Sequence, residues 1–279
     1  MGLDKTLFRG IACNGEVLFL RDDCVYVRRE RPTALAISIA MAVTMLAVYV
    51  LTLDAMGPDV VESVSAAPRV TREIEFAEME GYCVSLGGYA AEDQACAEAA
   101  GFAARGGAGR VWASDGRYYV LGALYDTRKQ ATRAAETMEG DLSAEVIALR
   151  ADAVRMRITA PDRQIDLIVA SDGLIRDGAW QLSTIAQQLD RGEIQPESAL
   201  TLCALSVTEA RGLREKLSYI PGVEDNALCS TLMDSLDRFA RRLEDIRANS
   251  GGSVALSGLM RCAAIDTFID QIEIQQSLT

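Results

Sequence analysis

The sequence predicts an α+β protein in three parts: a single membrane-spanning helix near the N-terminus, a ferredoxin-like β-α-β-β-α-β domain, and an antiparallel bundle of four helices. Three observations predict it. An uncharged run of 21 residues lies at Thr33–Leu53. Two matching blocks follow it at a fixed offset of 36. From Pro161 onward the apolar period changes from two to about 3.6.

The uncharged run is long enough to cross about 30 Å of hydrocarbon as a helix. Nine of its residues are Leu, Ile or Val, each favouring insertion by roughly 0.3–0.6 kcal/mol near the centre of a span. The competing readings are a buried core helix and a cleaved signal peptide. Arg28, Arg29 and Arg31 at one end, and Asp54 and Asp59 at the other, argue against the first. A charged region of 32 residues before it argues against the second. The arginine cluster keeps residues 1–32 in the cytoplasm and puts everything after residue 53 outside. Residues 1–32 sum to +1, so the remainder of this −12 chain carries −13. An acidic outer part does not suit nucleic acid, whose phosphates demand Lys and Arg.

Val17–Leu20 and Cys24–Val27 form a candidate hairpin in the cytoplasmic segment. Residues 54–78, with Gly57-Pro58 and Ala66-Ala67-Pro68, read as a linker. The matching blocks are Tyr82–Ala99 and Tyr118–Ala135, identical at six of 18 positions: Tyr82/Tyr118, Val84/Val120, Tyr89/Tyr125, Gln94/Gln130, Ala95/Ala131 and Ala99/Ala135. An internal repeat is one supersecondary unit used twice. Each block opens with strand-like alternation and ends in an alanine-rich helical run. A short strand candidate follows each, at Gly109–Ser114 and Ser143–Leu149, which gives the split βαβ order. Val154, Met156 and Ile158 alternate with Arg155 and Arg157, so a further strand extends the repeat domain, 79–160.

Pro161 and Pro196 suit helix first turns. Pro221-Gly222 and Ser250-Gly251-Gly252 are turns. Four helices are expected, over about 161–191, 196–219, 224–248 and 253–276, forming a separate bundle domain, 161–279. Leu232, Leu236, Phe239, Leu243 and Ile246 are spaced 4-3-4-3, a stripe suited to shallow-angle packing.

The chain has no histidine, which removes the commonest general base and metal ligand. Its seven cysteines, at 13, 24, 83, 96, 203, 229 and 262, form no CxxC pair. No catalytic set, metal site or cofactor is expected. The five cysteines beyond the span read as buried small apolar residues, with one disulfide among Cys203, Cys229 and Cys262 left open.

The repeat domain resembles a SPOR domain, the peptidoglycan-binding module of bacterial division and sporulation proteins. Tyr82, Val84, Leu86, Gly87, Gly88 and Tyr89 carry the resemblance in the first block, and Tyr118, Val120 and Tyr125 in the second. A single membrane helix with such a domain outside is the family's usual layout. About 70 of the 279 residues are covered. The resemblance implies binding to peptidoglycan glycan strands through the sheet face that the two helices leave open. Alternation places Cys83, Ser85, Tyr119 and Leu121 on that face if Val84, Leu86 and Val120 pack on the helices. Ser85, Trp112, Tyr119 and Leu121 are therefore the candidate glycan-binding residues. The sequence departs from the family at Ser85 (glutamine in the family), Tyr119 (arginine) and Ala123 (glycine). Aromatic rings pack on sugar faces, and Trp112 and Tyr119 equally suit packing against the linker or the C-terminal helices. The expectation is a cell-membrane protein of the envelope that binds glycan and is not an enzyme. The alternative is an envelope scaffold whose degenerate domain and helical bundle dock a partner protein.

Overall fold

The computed structural model describes residues 11–13, 16–21, 24–28, 68–138, 144–220, 223, 226–249 and 251–278. The expected spanning helix, 33–53, lies outside them. Among the described residues no helix is long and apolar enough to cross a membrane. In the N-terminal unit, β1 (Ile11–Cys13), β2 (Glu16–Arg21) and β3 (Cys24–Arg28) form an antiparallel meander. Its β2–β3 pair is the hairpin expected around Arg21-Asp22-Asp23.

The repeat folds as the alternation dictates. Strand β5 (Met79–Tyr89), helix α1 (Glu92–Ala103) and strand β6 (Arg110–Ser114) come from the first block. Strand β7 (Arg117–Tyr125), helix α2 (Arg128–Thr137) and strand β8 (Glu145–Ala151) come from the second. The antiparallel sheet has the order β6-β7-β5-β8, with the two block-opening strands in the centre. Leu86 and Val120 pack with Ala95 and Ala99 of α1, and Val84 packs with Ala131 and Ala135 of α2. Small alanines let both helices sit close to the sheet. Thr127 caps α2, its Oγ1 accepting from the Gln130 backbone N–H at 3.3 Å.

Residues 54–78 are not linker throughout. Strand β4 (Arg69–Phe76) lies within them and pairs along its whole length with β9 (Val154–Pro161), Arg69 opposite Pro161 and Phe76 opposite Val154. Only Ile74 and Phe76 of β4 are buried, and Arg72, Glu73 and Glu75 face solvent, so its pattern is weak. β9 is the strand expected from the Val154/Met156/Ile158 alternation.

Four helices follow: α3 (Asp162–Asp190), α4 (Pro196–Ser218), α5 (Ala227–Asn249) and α6 (Ser253–Ser277). Their bounds match the expected ones to within about three residues. The Leu232-to-Ile246 stripe of α5 is buried, and Gly178 of α3 leaves room for the Phe239 ring. The expected repeat domain, 79–160, and bundle, 161–279, share one unit. Pro58–Thr279 is one compact unit. Ile74, Phe76 and Val154 of the β4–β9 ribbon belong to the bundle core, and α6 lies across the sheet.

That placement of α6 follows from its sequence. Nearly all of it from Leu256 to Gln275 is buried or half-buried, with Ile265, Phe268, Ile269 and Ile272 turned to the sheet core and Leu256, Met260 and Ala264 to the bundle core. A helix apolar on all sides has to be covered on all sides. Antiparallel pairing with α3 is fixed by Arg261 on Asp190, Trp180 edge-on to Phe268 at 5.0 Å, and Gln271 on Asp172.

Two glycine contacts set how close α6 comes. A Cβ on Gly258 would lie 2.9 Å from the backbone of Gly106, and one on Gly81 of β5 would lie 2.7 Å from the Phe268 ring. Gly258→Val should therefore push α6 off the sheet. Phe268→Ala should cost about 3–5 kcal/mol. Urea unfolding of the 58–279 unit checks both, and each should lower the midpoint clearly. Residues 162–279 expressed alone would leave Ile265, Phe268, Ile269 and Ile272 uncovered. That fragment should bind a hydrophobic dye and melt without a sharp transition, whereas the full unit melts cooperatively.

Candidate functional site

The sheet face away from α1 and α2 is the surface that the sequence singles out. The pairing brings all four candidate residues together on it. Ser85 stands opposite Leu121, and Tyr119 stands opposite Trp112 on one side and Gly88 on the other. Gly88 is required here, because a Cβ would meet the Tyr119 ring at 2.9 Å. Irregularities in the β5–β7 register, one between Val84 and Ser85 and one between Ser85 and Gly88, re-aim the strand around Ser85.

The face is not open. Cys83, Leu121, Leu124 and Leu149 form one core cluster with Ile265, Phe268, Ile269 and Ile272 of α6 and Ala179 of α3, and Trp112 and Tyr119 pack against it. Ser85 and Leu121 are fully buried. The Ser85 hydroxyl is spent locally: it accepts from the Gly87 N–H at 3.3 Å and donates to the Gly87 carbonyl at 3.2 Å. Trp112 and Tyr119 remain half-exposed. Of the two roles weighed for these aromatics, the one the geometry displays is packing on the cluster under the C-terminal helices.

Polar contacts at the rim hold the cover in place. The Ser183 Oγ of α3 donates to the Leu124 carbonyl at 2.6 Å, and the Gln275 Nε2 of α6 donates to the Ala77 carbonyl at 2.8 Å. Arg110 of β6 meets Asp266 of α6 at 2.8 Å, and the Arg261 Nη1 donates to the Gly106 carbonyl at 2.8 Å. Behind α6, Asp270 receives Arg238 at 2.9 Å and Arg242 at 2.8 Å. Burial pushes the Asp266 carboxyl above the usual range, and Arg110 and Arg242 pull it back. Sequence reasoning missed these tethers. Arg110, Asp266 and Gln275 lie on elements far apart in the chain, and no spacing marks them as partners.

A cavity of about 200 Å³ is lined by Phe102, Arg105, Gly122, Tyr125, Met138 and Arg261, among others. It is below the usual ligand-pocket range of roughly 300–1,000 Å³. Its most buried cation, Arg261, is already held by Gly106 and Asp190. Among the described residues no group of three His, Cys, Asp or Glu side chains could hold a metal ion.

No family model, curated protein or solved structure matches the chain. The resemblance to SPOR domains therefore rests on the residues of the repeat.

Cys83, Cys96, Cys203, Cys229 and Cys262 are free thiols. Burial pushes Cys203 and Cys262 up to about 11 and raises Cys83 and Cys229 as well, whereas Cys96 is exposed on α1. A thiolate is the reactive form. Maleimide labelling of the 58–279 unit near neutral pH should modify Cys96 quickly and the other four only in urea. Mass spectrometry of the labelled peptides checks this. Rapid labelling of Cys83 or Cys262 would mean that the sheet face opens readily.

Proposed function

We propose that this chain is a membrane-anchored scaffold of the bacterial cell envelope. In this reading residues 33–53 span the membrane, and residues 79–160 are a degenerate SPOR-like domain of ferredoxin-like topology. The helical layer has been built onto the face that the resemblance would reserve for glycan. The outer surface of the combined body docks a partner protein, with no catalytic role. One observation carries this choice over glycan binding: α6 lies across the sheet, with Leu121 beneath it and the Ser85 hydroxyl already satisfied. The departures at Ser85 and Tyr119 then have a physical reason. A covered face needs neither a glutamine nor an arginine for sugar, and it gains from a serine closed on its own turn and a ring lying over Gly88.

The glycan-binding reading keeps one supporting observation, the half-exposed Trp112–Tyr119 pair at the β6 edge. Co-sedimentation of detergent-solubilised full chain with sacculi rich in peptide-free glycan separates the two readings. The scaffold reading expects no enrichment in the pellet, and no change with Trp112→Ala or Tyr119→Ala. Sedimentation lost in both variants while their folded circular-dichroism signal persists would restore glycan binding at the sheet edge. Each ring would then contribute about 1–3 kcal/mol, as aromatic platforms do for bases. A C-terminal reporter active only in the cytoplasm should stay silent. A signal from it would remove the envelope location, and the scaffold reading with it.

A further inference from the structure

We propose that Asp172 of α3 and Gln271 of α6 form a proton-sensitive clamp that fastens α6 over the sheet. Both residues are buried, at 5 % and 0 % exposure, in the α3–α6 pairing whose other contacts are Trp180 on Phe268 and Asp190 on Arg261. The Gln271 Nε2 donates to the Asp172 Oδ1. The other end of that amide, Oε1, is buried without a hydrogen-bond partner, as is the Oγ1 of Thr267 one turn earlier. An ionised Asp172 can only accept hydrogen bonds, so it cannot satisfy the Gln271 Oε1.

A protonated Asp172 changes the arithmetic. An acid can meet an amide with two bonds at once, its hydroxyl donating to the Gln271 Oε1 while its carbonyl oxygen keeps the bond from Nε2, so protonation can give the orphaned acceptor a partner and removes a buried charge. Unsatisfied buried polar atoms are costly, so the protonated pair holds the two helices together better than the ionised one. The charges bearing on Asp172 are few. Arg176, at 3.5 Å and on the same helix, favours the anion, and Asp177 opposes it. From α6 the facing group is the neutral Gln271, because Asp266 and Asp270 are engaged by Arg110, Arg238 and Arg242. Arg72 of β4 is engaged by Asp162 and Asp166. Burial outweighs Arg176 and the Gln271 bond, and it pushes the carboxyl up to about 6.

The direction of the effect follows. The folded value lies above the unfolded value of about 3.9, so the folded state holds this proton more tightly. The added stability is complete below about pH 4 and is lost as pH rises through about 6. The clamp tightens under mild acid and loosens toward neutrality, where α6 lifts from the sheet more often.

Thermal unfolding and backbone hydrogen exchange of the Pro58–Thr279 unit, followed from about pH 5 to about pH 8 in wild type and Asp172→Asn, test this. Asparagine mimics the protonated acid without titrating. The wild-type midpoint should fall by several degrees relative to the variant as pH rises through 6. The α6 amides, corrected for intrinsic rate, should open more often at the upper pH in the wild type alone. Glu209→Gln is the control, because Glu209 of α4 is a second buried carboxyl pushed up to about 6. It should flatten part of the melting profile and leave the exchange of α6 unchanged. Parallel profiles for wild type and Asp172→Asn would overturn the clamp. If the asparagine variant does not fold, nuclear magnetic resonance of the wild type decides. The Asp172 carboxyl and the Gln271 side-chain amide should titrate together near 6, and a carboxyl titrating in the ordinary range, or an amide that ignores it, would overturn the clamp.

Discussion

The burial of α6 is the constraint on which the rest of the compact unit depends. A four-stranded sheet with two helices on one side has a second apolar face, and Cys83, Leu121, Leu124 and Leu149 must be removed from water by something. The chain answers with a helix that has no solvent side. α6 shares one set of side chains with the sheet and another with α3 and α5, so neither layer is complete without it. The order of layers follows: α1 and α2, the sheet, α3 with α6, and α4 with α5.

The fit of that helix is governed by close approach rather than by bulk. Gly258 lies on Gly106, and Gly81 makes room for Phe268. Where backbones meet this closely, side chains cannot compensate for an error in depth, and polar tethers at the rim set the rotation. Ser183, Gln275, Arg261 and Arg110 each reach an acceptor on the other layer. Such contacts contribute modestly one at a time, yet they favour one seating over its neighbours.

Much of this was legible in the sequence, for physical reasons that also explain the gaps. The repeat exposed the central strands because half-buried strands alternate, and Val84, Leu86 and Val120 do face α1 and α2. The stripe from Leu232 to Ile246 exposed α5 because that helix has a wet side. Two features had no such signature. β4 buries only Ile74 and Phe76, too few to stand out from a linker. α6 buries residues all round, so Ile265, Phe268, Ile269 and Ile272, which meet the sheet, do not stand out in the sequence from Leu256, Met260 and Ala264, which meet the bundle. The strand pairing sets Ser85 beside Leu121 and Trp112 beside Tyr119. What the face meets could not be read, because a pattern reports that a surface is apolar and not what covers it.

The cover is also the last of the described elements to be made. Gln275 and the Ala77 carbonyl that it reaches are 198 residues apart. During synthesis the sheet strands and both of their helices leave the ribosome long before the helix that shields them. The growing chain therefore carries an unshielded apolar face until α6 has been made, and such surfaces invite aggregation and chaperone capture. Closing so long a loop carries an entropic cost that must be met before the contacts repay it. Acquisition of the native state is thus tied to the synthesis of α6, and a product that stops short of it leaves Cys83, Leu121, Leu124 and Leu149 without their cover.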